Sequence, residues 1–338
     1  MTTSNNYTAK IEAAVAHAHK NHDHYLEGFK NLLRIPSIST IPEHEPDVQR
    51  AAAWLVAEMS RIGFKECRAI PSEGHPVVYG EWLEAGPDKP TVLVYAHYDV
   101  QPIDPLELWQ SPPFEPTIRE GKIFARGAVD DKCGVFLNLK AFESMIATNN
   151  GQLPVNIKLF FEGEEESGSP SMEPFIQTHG ELLQADLLIV SDGGSHPGRP
   201  MNITSLRGVM DAEVVVTGPQ RDLHSGWFGG VVHNPIHKVG EMIAALHDKN
   251  GRVQIPGFYE HIRPVSAADQ ARMDEQNERT SAFQKEQSGV KAFWGPPEWS
   301  YLERSTAQPT CEVNGVWGGY QGPGGKTVIP SKAGFKLS

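Results

Sequence analysis

The strongest constraint on this chain is a set of three short apolar runs, each giving way at once to histidine or acidic residues. Thr91–Tyr95 (TVLVY), Val155–Phe161 (VNIKLFF) and Ala185–Val190 (ADLLIV) are rich in β-branched and large apolar side chains, the pattern of strands buried on both faces. Helical spacing lies between them, over Asp131–Ile146 and Met172–Leu183. Buried strands alternating with helices predict an α/β fold: a mostly parallel sheet with helices on both faces. Ligands of such sheets sit beyond the carboxyl ends of the strands. The residues just after each run are therefore where chemistry is expected.

Those residues suit a metal. After TVLVY comes Ala96-His97-Tyr98-Asp99, in which the imidazole can ligate while the nearby carboxylate takes its other N–H. After VNIKLFF comes Glu162-Gly163-Glu164-Glu165-Glu166-Ser167-Gly168, a crowd of carboxylates that raise one another's pKa unless a cation neutralises them. After ADLLIV comes Ser191-Asp192-Gly193-Gly194. A fourth segment, Arg126-Gly127-Ala128-Val129-Asp130-Asp131-Lys132, falls where a hairpin over Phe114–Ala125 meets a helix. Each alone has a plainer explanation: a structural H-x-D, a helix N-terminus, a solvated loop, a turn. Together they supply one imidazole and several hard oxygen ligands, a set that suits Zn²⁺, Mn²⁺ or Co²⁺.

Composition narrows the partners. The net charge is -12, so the surface repels phosphate backbones and nucleic acid is not expected. No apolar stretch nears the roughly 20 residues that cross a bilayer, and the N-terminus lacks a secretory apolar region, so neither a membrane nor export is expected. The three cysteines, Cys67, Cys133 and Cys311, form no CxxC pair, which fits the cytoplasm.

The order of these segments resembles the M20 metallopeptidases, the group that includes aminoacylase-1, succinyl-diaminopimelate desuccinylase, carboxypeptidase G2 and the cytosolic non-specific dipeptidase. The matching stretches are YAHYDVQP, GKIFARGAVDDK, FEGEEESGS, VSDG, LRG, DLHSGWFGG and GGKTVIPSKAGFKLS, in that order. The DLHSGWFGG form and the long spacer from Gly257 to Lys326 look most like the dipeptidase branch. The resemblance implies a zinc-exopeptidase-like catalytic domain over 1–206 and an inserted α+β lid or dimerisation domain over 207–338. It implies two divalent ions, zinc or else manganese or cobalt. His97 and Asp192 would be ligands of the first, Asp130 the bridging carboxylate before a cis Asp130-Asp131 peptide, and Glu166 a ligand of the second. Glu165 would be the general base and Asp99 the partner of His97. His224 would reach from the lid into the partner subunit's site, in a homodimer acting on short peptides.

The same resemblance leaves an N-acyl amino-acid deacylase, a carboxypeptidase and an inactive dimerising scaffold as competing readings. It places a further histidine ligand and a substrate-gripping arginine in a stretch after Ser338, and the family's glycine after the DDK triplet is Cys133 here. Elsewhere, Ile11–Leu33 reads as one or two helices, Val48–Ile62 as a helix, Pro76–Gly80 as β-like, and Asp211–Thr217 as a strand. Pro235–His247 reads as a helix capped by Asn234, and 265–290 as a solvated helix. His17, His19, His22 and His24 read as a solvated face, and Gly322–Gly325 as a flexible loop, not a phosphate loop. Trp227, Trp294, Trp299 and Trp317 read as core.

Overall fold

The computed structural model describes residues 2–194, 201–203 and 206–338. The chain divides into two compact units, Met1–Asn202 and Ile203–Ser338. In the first, helices α1 (Thr2–Lys20), α2 (His22–Leu33) and α3 (Glu45–Ile62) lead into strands β1 (Lys65–Ile70), β2 (Val77–Trp82) and β3 (Thr91–His97). A hairpin of β4 (Thr117–Arg119) and β5 (Lys122–Phe124) follows, then α4 (Lys132–Thr148), β6 (Asn156–Glu162), α5 (Met172–His179) and β7 (Leu187–Val190). The hairpin turns at Glu120 and Gly121, both at positive φ (49° and 73°), as a tight primed turn requires.

The sheet order is β1-β2-β6-β3-β7. The three runs that read as buried strands form its parallel part, β6, β3 and β7, and β2 and β1 extend it antiparallel. Side chains alternate between two cores. On one face Val78, Val94, Ala96, Ile157, Leu159 and Phe161 meet Leu32, Leu55, Met59, Val135 and Leu139 from α2, α3 and α4. On the other, Tyr79, Leu93 and Phe160 pack on Phe175 of α5.

β7 departs from expectation. Its residues are between 44 % and 58 % exposed, because it sits at the end of the sheet and pairs with β3 alone. An apolar run identifies a strand, but it cannot tell a central position from an edge.

The second unit contains β8 (Ala212–Thr217), β9 (Leu223–His224), α6 (Ser225–Phe228), α7 (Pro235–Leu246), α8 (Ala267–Ser288), β10 (Val313–Gly318), β11 (Val328–Ile329) and β12 (Lys332–Leu337). β10, β12 and β8 form an antiparallel sheet whose Ala333 and Phe335 pack on Val239 of α7. Asn234 caps α7, its Oδ1 accepting from the Ile236 amide at 3.0 Å. α8 buries no residue, as its polar composition predicts. Trp299 and Tyr259 flank the Arg252 guanidinium, and Trp317 Nε1 donates to Glu213 at 2.9 Å, whereas Trp227 and Trp294 are exposed rather than core. No helix of the described residues is long and apolar enough to cross a membrane.

Candidate metal centre

β3 ends at His97, which alternation places on the face of Leu93 and Tyr95 and which is fully buried. Its Nδ1 lies 3.2 Å from Asp99 Oδ1 and 3.2 Å from the Asp99 carbonyl. A carboxylate and a carbonyl only accept, so Nδ1 carries the proton and donates it. Nε2 lies 3.0 Å from Asp130 Oδ1 and 3.9 Å from both Asp192 Oδ2 and Glu165 Oε2. Asp130 stands between the β4–β5 hairpin and α4, and its bond to Asp131 is cis. Asp192 follows β7, which the Ser191 amide ties to β3 by donating to the Tyr95 carbonyl at 2.8 Å. One ligand atom from each of His97, Asp130 and Asp192 lies within 4.8 Å of the others.

Asp99 joins two loops. Its Oδ1 accepts from the Glu165 amide at 3.2 Å, and its Oδ2 from the Glu166 amide at 3.0 Å. Gln101 Nε2 donates to Glu166 Oε2 at 2.7 Å. The loop after β3 thus grips the loop after β6 and holds Glu165 beside the imidazole. Behind it, the buried Glu164 carboxylate accepts from the amides of His75 (3.0 Å) and Ser171 (2.6 Å).

The electrostatics favour a cation. Burial, and then the surrounding acids, push the carboxyls of Asp192, Glu165 and Glu166 above the ordinary range, and His97 only partly offsets this. Among the described residues no lysine or arginine pairs with any of the three. Burial alone would lower the His97 pKa, but Asp99 and the nearby carboxylates outweigh it and push it up to about 10. The carboxylates around Nε2 thus favour a positive charge at that position. One nitrogen and two carboxylates around that position fit a divalent ion of the zinc, manganese or cobalt class.

Two expected residues stand apart from this group. Glu166 is turned to Gln101 and shares the cluster's field without joining the close trio. His224 belongs to the second unit, where its Nδ1 accepts from the Gly226 amide at 3.1 Å and its Nε2 lies 3.1 Å from Thr327 Oγ1. The N-terminal histidines contribute to no metal-capable group among the described residues.

The structure also adds residues that the motifs did not single out. Asp131 is buried, its Oδ2 accepts from the His97 amide at 3.2 Å, and burial pushes its pKa up to about 7. The adjoining acidic pair was the only signal for it. Cys133 turns back to donate to the Val129 carbonyl at 2.9 Å, and burial pushes its thiol up to about 11. The close approach falls one residue later. A Cβ on Gly134 would run into the Ser191 carbonyl and the Asp131 carboxylate.

An imidazole and carboxylates converging beyond parallel strand ends on an α/β fold form a group that could hold a divalent ion. The chain belongs to peptidase family M20/M25/M40, whose model matches residues 93–321. The Cys-Gly metallodipeptidase of Schizosaccharomyces pombe is 33% identical over 334 residues, covering 94% of this chain and 69% of that protein. A solved dipeptidase of Saccharomyces cerevisiae superposes with a TM-score of 0.76 at 27% identity, covering 97% of this chain and 71% of that one. An M20 metallo-carboxypeptidase of Sulfolobus solfataricus also gives 0.76, at 33% identity over 93% of this chain and 70% of that one.

Proposed function

We propose that the chain serves a dinuclear, metal-dependent hydrolysis of the peptide bond in dipeptides or short unblocked peptides. The observation that carries this reading is the convergence of His97 Nε2, Asp130 and Asp192, with Glu165 3.9 Å from the same nitrogen. His97, Asp130 and Asp192 would hold the first ion. Asp130 and Glu166 would contribute to a second. Such ions polarise a peptide carbonyl and lower the pKa of water.

The chain's own residues do the rest. Asp99 keeps the imidazole oriented by accepting a hydrogen bond from its Nδ1–H. Glu165, raised above the ordinary carboxylate range and held by its amide to Asp99, takes a proton from the attacking water and returns it to the leaving amine. His224 would donate to the developing oxyanion in a homodimer built through the second unit, which acts as lid and dimerisation domain. β8 is an edge strand of that unit, with Val215 half exposed, and such an edge suits pairing between copies. Three free thiols suit a reducing cytoplasm.

The relatives named as Cys-Gly metallodipeptidases favour a dipeptide substrate, and the carboxypeptidase relative supports a longer one. The test is release of free amino acids from Cys-Gly, from a longer peptide and from an N-acetylated amino acid, with zinc supplied. A preference for the dipeptide that vanishes in Glu165→Gln supports the reading. Preference for the N-acetylated amino acid, or turnover that survives Glu165→Gln, refutes it, and preference for the longer peptide refutes the dipeptide part alone.

A further inference from the structure

Ser39 lies in the loop between α2 and α3, outside every motif of the site. Its Oγ donates to Asp99 Oδ2 at 2.6 Å, the shortest of the contacts on that carboxylate. The loop that carries it is itself fixed. Ile38 bridges Val100 in parallel register, Ser37 Oγ donates to the Tyr98 carbonyl at 2.7 Å, and the Ser39 carbonyl lies 2.9 Å from His75 Nε2.

The Asp99 carboxylate is fully buried and accepts from four groups, two on each oxygen. Oδ1 takes His97 Nδ1–H and the Glu165 amide, and Oδ2 takes the Ser39 hydroxyl and the Glu166 amide. The His97 proton has a competing acceptor, the Asp99 carbonyl, at the same 3.2 Å. Which acceptor it uses depends on how the carboxylate is rotated, and the Ser39 hydroxyl holds that rotation together with the Glu165 and Glu166 amides.

We infer that Ser39 is a positioning residue for the metal-binding imidazole: it locks the Asp99 carboxylate in the orientation that takes the His97 Nδ1 proton and aims Nε2 at Asp130 and Asp192. This rests on the proposed role of His97 as a ligand. Groups that orient a ligating histidine typically change metal affinity by about 10–100-fold when removed.

The test uses the full chain with ¹⁵N-labelled histidine, as wild type, Ser39→Ala and Ser39→Thr. The first reading, on metal-free protein, is the His97 Nδ1–H resonance, assigned by its loss in His97→Gln. Ser39→Ala is expected to shift it and speed its exchange with water, and Ser39→Thr to restore it. The second reading is titration with zinc, where Ser39→Ala is expected to bind more weakly, by up to about 10-fold, and Ser39→Thr like wild type. An unchanged resonance in Ser39→Ala overturns the inference, even if zinc binding weakens, because the role would then be one of folding alone. A resonance that depends on Ser39 in a chain that binds no zinc would sink the metallopeptidase reading and leave the orienting role standing. If Ser39→Ala does not fold, Ser39→Cys, close in size and a weaker donor, is read in the same two ways.

Discussion

His97 joins the fold to the chemistry, and its consequences can be measured one residue at a time. Its Nε2 lies toward Asp130 and its Nδ1 toward Asp99, and these carboxylates push its pKa up to about 10, so the imidazole is expected to be protonated near pH 7 in the metal-free chain. An ion on a protonated Nε2 must displace that proton, so the ion held by His97 should release about one proton when it binds near pH 7. Calorimetry in buffers of different ionisation enthalpy reads this number, and a binding heat independent of buffer would contradict it. Asp99→Asn leaves the shape but returns an amide that can donate where only acceptance is useful, and should weaken zinc binding by about 10–100-fold. A zinc titration of that variant with unchanged affinity would remove Asp99 from the account. His97, Asp130 and Asp192 were marked in the sequence because each follows a strand or hairpin signal and the segments together, though not singly, supply a set of ligands. Ser39 and Gln101 were not. They act through hydrogen bonds to residues about 60 positions away, and short-range patterns carry no trace of such pairings.

The elements explain why the site stays in place. α4 starts against the β7 loop, where Gly134 leaves room for the Ser191 carbonyl and Asn138 Nδ2 donates to Ser191 Oγ at 2.7 Å. Gly134→Ala would force the Asp130-bearing turn from the Asp192-bearing one. Its expected cost is about 1–3 kcal/mol of stability, with weakened zinc binding, read by denaturant unfolding and titration. Farther along, α3 and α4 are joined by Glu58, which receives Arg61 and Lys140. Burial alone would raise the Glu58 pKa, but these two donors outweigh it and hold it at about 2 instead of 4.5. The unfolded chain therefore takes up the proton first, and the stabilisation is present above pH 4.5 and lost as pH falls through about 2. Glu58→Gln should flatten this acid limb of the stability curve and lower stability at pH 7 by about 1–3 kcal/mol. An unchanged limb would show that the pair does not govern it. At this scale the parallel strands and the helices between them were legible from periodicity. β1 was not, because KECRAI is mostly exposed and polar, and neither was the edge position of β7, which depends on long-range pairing.

For the molecule as a whole, the account makes stability depend on the ion. Zinc at about 100 times its dissociation constant adds about 2.7 kcal/mol to whatever unfolds with the site. Thermal unfolding should therefore shift upward by several degrees with zinc and return with a chelator, and a transition indifferent to both would argue against a site in the first unit. The sequence changes character after Arg207, and the chain divides between Asn202 and Ile203. The most direct test of the central claim is the metal content of the chain, by elemental analysis after zinc loading and gel filtration, in wild type and in His97→Ala, Asp130→Asn and Asp192→Asn. The account predicts at least one zinc per wild-type chain, with that ion lost in each variant. A wild-type chain without zinc, or the same content in all three variants, would contradict it.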